Sequence, residues 1–354
     1  MFRKLLLVVI AAGVLAASGV GLWVFQGLQT LHNRVEIDEP VLFSVAPGTA
    51  FGQLAHQMAA RGLVDDPMWL RLYGRLNPEQ ARIKAGDYEF QPGITPLDML
   101  GMMVEGKVKL WSVQFIEGWT FADMRMALAR TERLGQITAE WTDEQIMEAV
   151  GAEGQNPEGW FFPDTYLFHS HETDLDILQR AYDIMVKTLD VEWNSRAEGL
   201  PYKTAYEALI MASIIERETG VSGERGQVAG VFVRRLEQGM RLQTDPTVIY
   251  GMGDSYDGRI RRSDLRKWTP YNTYRIDGLP PTPIALPGRE SIHAALNPSD
   301  GDSLYFVARG DGSHKFSRTL AEHQKAVREF QLNRRKDYRS SPAPDTKQTN
   351  SGDQ

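Results

Sequence analysis

A chain of 354 residues with 46 acidic and 39 basic side chains carries a net charge of −7, which argues against a nucleic-acid partner, since such partners select a basic face. It contains no cysteine, which removes thiol catalysis, disulfides and thiolate metal sites. The length exceeds what one small core organises and implies two or more domains.

In chain order, Met1-Phe2-Arg3-Lys4 comes first, and no charge then occurs from Leu5 to Leu31. The most apolar part, Leu5 to Phe25, has 21 residues, and a bilayer span needs about 20. Arg3 and Lys4 precede it, while Glu36, Asp38 and Glu39 follow. The positive-inside bias therefore predicts a cytoplasmic N-terminus, a single-pass anchor over residues 1–31, and a body on the far side of the membrane. Trp23 sits where an interfacial anchor belongs. A cleaved signal peptide, with Ala16-Ala17-Ser18 at the cleavage site, is the rival reading.

Residues 32–40 are polar, end in Pro40 and read as a short stalk. Val41 to Val45 reads as a strand. Phe51, Leu54, Ala55 and Met58 recur at helical spacing, and Gly62 stands where a helix C-terminus would put it. A second helix is predicted from Pro67 to Leu76, and a short strand at Tyr88-Glu89-Phe90. This βααβ order resembles a LysM-type module, a fold that binds glycans containing N-acetylglucosamine, and it is assigned residues 41–108. Within that stretch a third helix, Thr95 to Glu105, has Thr95 as N-cap, Asp98 in its first turn and Gly106 after its end.

The larger domain is expected over residues 109–339, beginning with strand-like Trp111 to Ile116. Residues 340–354 hold no aliphatic side chain except Ala343 and read as a disordered tail. His169 and His171 form the only close histidine pair. Without an acidic or His partner at ligand spacing they read as surface residues, so no metal is expected. The aromatic patch from Glu158 to Tyr166 reads as core packing. Arg259, Arg261, Arg262, Arg266 and Lys267 beside Trp268 read as a solvated loop.

One apolar helix, Leu209 to Thr219 with Gly220 as its expected C-cap, brings Glu216 and Glu218 into its last turn. Such an end normally carries Lys or Arg, because the macrodipole is negative there. A Glu beside Ile and Met is pushed towards its protonated form by desolvation and dipole together, the state a general acid requires. The plainer reading is a core helix whose Glu side chains reach solvent. Glu216 and Glu218 stand about 200° apart around the helix, so they cannot serve one site together. Glu218 shares its face with Met211, Ile214 and Ile215, whereas the face of Glu216, with Leu209, Ala212 and Ser213, is smaller and more polar. Glu216 is the better candidate for a structural partner of an Arg.

Six blocks follow one another in the second half. They are Ala212-Ser213-Ile214-Ile215-Glu216-Arg217-Glu218-Thr219; Arg241 to Gly251, with Gln243-Thr244-Asp245; Tyr271-Asn272-Thr273-Tyr274; Gly278 to Ile284; Ala294 to Pro298; and Leu304 to Val307. In this order they resemble the YceG-like family. The resemblance covers nearly the whole chain except the acidic stalk and polar tail. It implies a periplasmic enzyme that cuts nascent peptidoglycan strands internally, at the β-1,4 bond after N-acetylmuramic acid, leaving a 1,6-anhydro end. It also implies that the essential acid is Glu218 and that no metal or organic cofactor is used. Gln243 and Thr244 are candidates for binding N-acetyl or hydroxyl groups. Asp245 is a candidate second carboxylate, or an N-cap or turn residue before Pro246. Tyr271, Asn272 and Tyr274 are either a sugar-binding loop or plain packing.

The expected fold is therefore α+β: a transmembrane helix, a small LysM-like βααβ module and a larger mixed α/β catalytic domain. Two other functions stay open, a hydrolase pairing Glu218 with Asp245 and a non-catalytic glycan-binding scaffold for cell-wall synthases.

Overall fold

The structure is a computed structural model that describes residues 2–332, so the expected tail over 340–354 lies outside the described residues. The chain divides into two compact units. The first holds Met1–Ser112 with Arg133–Gly135 and Leu167–Glu172; the second holds Val113–Glu132, Gln136–Tyr166 and the chain from Thr173 on.

In the first unit, α1 (Phe2–Thr30) runs 29 residues and is long and apolar enough to cross a membrane. At 1.5 Å per residue it extends about 43 Å. Its side chains from Phe2 to Phe25 are largely exposed, but its end is not free. Leu31 is buried, and Val24 and Leu28 pack on the same core. Trp23, expected at a membrane interface, lies edge-on to Trp69 with ring centroids 4.8 Å apart. The expected stalk also lies on this unit. The N–H of Val35 donates to the carbonyl of Ile94 at 2.9 Å, and Val35 and Ile37 pack on the core. Two apolar side chains in a polar stretch were enough to hold it down.

β1 (Val41–Val45), α2 (Phe51–Ala60), α3 (Pro67–Leu76) and β2 (Gly86–Phe90) follow. The strands pair antiparallel with Val41 opposite Phe90, and the two helices pack on each other. Phe43, Tyr88 and Phe90 from the strands meet Leu54, Met58 and Leu70 from the helices in a dry core. Local signals set the ends. Asp66 caps α3 by accepting from the N–H of Met68 at 2.8 Å. α4 (Pro96–Glu105) begins in a reciprocal capping box between Thr95 and Asp98. It ends at Gly106, whose φ of +79° is the left-handed conformation that glycine reaches without steric cost.

β3 (Trp111–Gln114) is two residues shorter than the predicted strand, and α5 (Phe121–Ala129) and α6 (Asp143–Ala149) come after it. Both helices start in capping boxes, from Thr120 and Thr142. β4 (Thr165–Phe168), α7 (Asp174–Asn194), α8 (Ala205–Glu218), α9 (Arg225–Glu237), α10 (Asp245–Met252) and α11 (Arg289–Leu296) lead to a hairpin of β5 (Tyr305–Ala308) and β6 (His314–Ser317), and then α12 (Leu320–Val327). The three sheets have two strands each, β1–β2, β3–β4 and β5–β6.

α8 is the centre of the second unit. Every residue from Ala208 to Ile215 is buried, so the helix is enclosed on all sides rather than amphipathic. α7, α9, α10 and α11 pack around it. Its end differs from expectation. Thr219, not Gly220, closes the helix, with an extended backbone and an N–H that still reaches the carbonyl of Ile215 at 3.2 Å. The buried Thr219 hydroxyl accepts from the N–H of Val221 at 3.1 Å, which turns the chain without a left-handed residue.

Candidate active site

The two carboxylates at the end of α8 enter different surroundings. Glu216 turns inward among structural partners. One oxygen accepts from the N–H of Gly288 at 2.9 Å, and the other lies 3.5 Å from the guanidinium of Arg225. Arg225 also meets Glu117 at 3.6 Å and pairs with Glu290. A Cβ at Gly288 would stand 1.9 Å from the Glu117 carboxylate, so that side chain would have to move.

Glu218, the last helical residue, opens instead on a cavity of about 450 Å³ within the second unit. Its Oε2 accepts from the hydroxyl of Thr244 at 2.7 Å, which leaves Oε1 as the oxygen to carry a proton. Burial pushes the carboxyl above its ordinary range, and the nearby Asp245 charge adds to this. The Thr244 hydroxyl, His314 and Arg235 offset part of the rise.

Thr244 is fixed from behind. It stands at the N-cap position of α10 yet makes no side-chain cap bond, because its hydroxyl is directed to Glu218. Its N–H donates to the hydroxyl of Thr273 at 3.0 Å, and its carbonyl accepts from Thr247 at 2.8 Å. Gln243 holds a left-handed φ of +50°, rare for a residue with a Cβ, and donates its N–H to the carbonyl of Thr273 at 3.2 Å. Such strain persists only where surrounding contacts fix it, and it collects at functional sites. Asp245 is the first residue of α10 rather than a turn residue. It accepts from the phenol of Tyr274 at 2.7 Å, and burial followed by the Asp245 charge keeps that phenol protonated.

The structure thus brings Glu218, Gln243, Asp245 and Tyr274 to one cavity, with Thr244 buried behind the acid. It does not bring Tyr271 or Asn272 there. Tyr271 packs edge-on against Tyr250, with centroids 4.9 Å apart, and its hydroxyl lies 2.9 Å from that of Thr282. The amide of Asn272, almost wholly buried, donates to the carbonyls of Asp264, Leu265 and Lys267, at 2.6 Å for the last. It staples the loop. Besides Tyr274, the member of that block that supports the site is Thr273, which sequence reasoning passed over.

Three further residues were also missed. Arg235 lies on the cavity wall with its guanidinium donating to the carbonyls of Leu304 and Leu242, both at 2.7 Å. His314 lines the cavity and is held by Glu224, at 2.7 Å from Nδ1 to Oε2. Neither histidine nor its carboxylate stands at a telling distance from Glu218 in sequence. Elsewhere, the aromatic patch packs as expected around Phe161, but it carries a buried carboxyl. Glu158 accepts from the N–H of Phe121 and the phenol of Tyr250, each at 3.0 Å. Burial raises it to about 7. The basic run stays at the surface, with Trp268 exposed. Among the described residues no group of His, Asp and Glu is arranged to hold a metal ion.

The profile of the YceG-like family matches residues 43–329. A protein of Bacillus subtilis (strain 168) named endolytic murein transglycosylase is 38% identical over 200 residues, 56% of this chain and 54% of the relative. One of the same name from Streptococcus pneumoniae (strain ATCC BAA-255 / R6) is 23% identical over 329 residues, 82% of this chain and 58% of the relative. The chain therefore spans little more than half the length of these curated relatives. A crystal structure of a YceG-like protein from Listeria monocytogenes aligns with a TM-score of 0.51 at 27% identity, covering 81% of this chain and 99% of that one. With that match running through both units and across the Glu218 cavity, the chain belongs to the YceG-like family.

Proposed function

We propose that this protein is an endolytic peptidoglycan lytic transglycosylase with Glu218 as its catalytic acid. The observation that carries the reading is the state of Glu218. It is a carboxyl raised by burial, held through one oxygen by Thr244, on the wall of a cavity. A carboxyl whose protonated form is favoured by burial is suited to deliver that proton to a glycosidic oxygen. The names of the B. subtilis and S. pneumoniae relatives support the substrate class.

The step runs in a balanced way with one carboxyl. Glu218 protonates the leaving oxygen between N-acetylmuramic acid and N-acetylglucosamine, and the C1–O bond breaks. The C6 hydroxyl of the same muramic acid adds to C1 and gives its proton to the Glu218 carboxylate. A 1,6-anhydro end results and the acid is restored. Intramolecular attack gains from proximity, so no protein nucleophile is demanded.

The βααβ order of the first unit supports a LysM-like role in holding glycan strands, and α1 supports an inner-membrane anchor with the N-terminus cytoplasmic. A synthase that supplies nascent strands is the natural protein partner. One specific feature favours a second reading. Asp245 lies on the same cavity, as the base of a two-carboxylate hydrolase would.

The test is cleavage of purified glycan strands by Glu218→Gln and Asp245→Asn proteins. The reading expects the first to lose about 10²–10⁴ in rate, the range of general acid–base catalysis, and the second to keep forming anhydro ends. Full activity in Glu218→Gln would end it.

A further inference from the structure

A second polar device opens on the same cavity from the hairpin side. His314 begins β6 and lines the cavity, while Glu224 stands at the N-cap position of α9. Glu224 grips His314 twice. Oε1 accepts from the backbone N–H at 2.9 Å, and Oε2 lies 2.7 Å from Nδ1. A carboxylate has only acceptor sites, so Nδ1 is the ring nitrogen that carries hydrogen, and in its neutral form the ring has its lone pair on Nε2. The pair is well enclosed, with side chains 9% and 15% exposed. Nε2 has no partner among the described residues, and it is not among the buried nitrogens sealed from solvent. On a ring that lines the cavity, the open atom is the one that meets a ligand.

Apolar side chains stand beside the ring on one wall of the cavity. Phe306 stands perpendicular to the imidazole with centroids 5.3 Å apart, and Phe232, Phe306 and Val307 share the cavity wall. A fixed acceptor beside an apolar wall fits a small group with one N–H and one methyl. In a glycan that group is the 2-acetamido substituent. His323, the other ring on the wall, does not suit the role. It stacks on Tyr305 at 5.3 Å, and its unpartnered Nδ1 is sealed from solvent.

We propose that His314, oriented by Glu224, determines specificity by accepting the acetamido N–H of an N-acetylated sugar at Nε2 while the methyl packs on Phe306. This rests on the reading of the cavity as a glycan site. It adds the group by which the site tells N-acetylated strands from strands carrying free amines. A free amine brings no methyl to the Phe306 wall and forfeits that contact.

Binding, not turnover, is the readout, using full-length Glu218→Gln protein so that strands stay intact. Dissociation constants are measured for a defined N-acetylated glycan oligomer and its de-N-acetylated counterpart. His314→Asn keeps an N–H at the Nδ1 position for Glu224 but loses the Nε2 acceptor. His314→Gln places an amide oxygen near Nε2. The account expects preference for the acetylated oligomer in the parent, a loss of about 5- to 150-fold in that preference with Asn, and partial recovery with Gln, as for one hydrogen bond left unmade. Affinity for the de-N-acetylated oligomer should stay within threefold in all three, which reports an intact fold. Equal weakening towards both oligomers, or an unchanged preference in the Asn variant, overturns the proposal. Because cleavage is not measured, a protein that discriminates in this way yet forms no anhydro ends would lose the transglycosylase reading and keep the acetamido site.

Discussion

Two carboxylates two residues apart have opposite fates because a helix end points them at different neighbours. Glu216 is locked to Arg225 and Gly288. Its replacement by Gln should cost about 1–3 kcal/mol of stability while cleavage persists. Comparable loss of cleavage in Glu216→Gln, with Glu218→Gln still active, would reverse the assignment. Glu158 makes a separate claim on stability. A carboxyl raised from 4.5 to about 7 holds its proton more tightly in the folded state. That contribution is complete below about pH 4.5 and is lost as pH rises through about 7, a span of roughly 3 kcal/mol. Denaturation of the wild type and Glu158→Gln at pH 5 and pH 8 checks this. The Gln variant should gain relative to the wild type at pH 8, and parallel curves would contradict it. At this scale the sequence showed what depends on local order, namely acids at the end of an apolar helix and a Thr and Gln near Asp245. Thr273, Arg235 and the Glu224–His314 pair stayed hidden, because each acts through contacts dozens of residues away.

Elements were legible where punctuation was strong. Pro67 with Asp66 before it, and Thr95 with Asp98 and Gly106, mark helix ends by satisfying the first N–H groups or by turning left-handed. The end of α8 was misread because Gly220 offered the usual stop signal, while the buried Thr219 made the turn one residue earlier. The 271–274 block was read as either a sugar-binding loop or plain packing, without choosing between them. Asn272 and Thr273 proved to be internal staples while Tyr274 reaches the cavity, a distinction that burial makes and composition does not. Gln243 gives this scale its prediction. A left-handed non-glycine residue costs about 1–2 kcal/mol, and glycine removes that strain against its own entropy cost of about 0.5–1 kcal/mol. Gln243→Gly should therefore unfold no more easily than wild type, yet have a lower kcat/KM because the side chain leaves the cavity. A clear fall in stability would show that the strain is not there.

For the whole molecule, the order of long apolar helix, βααβ segment and larger helical segment could be read from hydropathy and spacing. The unit boundaries could not. Residues 133–135 and 167–172 belong with the first unit although they lie deep in the sequence of the second, and nothing local marks them. The last turn of α1 and residues 32–40 also joined that unit, through Leu31, Val35 and Ile37, whose partners lie beyond residue 40. A reporter fused after Gln354 should be active outside the cytoplasm, with Met1 to Phe25 retained in the mature protein. A soluble form beginning near Gly19 would contradict the anchor. The central claim concerns the chemistry of one acid in one cavity, and mass spectrometry of the ends released from purified glycan strands tests it most directly. The account predicts 1,6-anhydro-muramic ends from the wild-type protein and none above background from Glu218→Gln. Reducing ends in place of anhydro ends, or unchanged release by the Glu218→Gln protein, would contradict it.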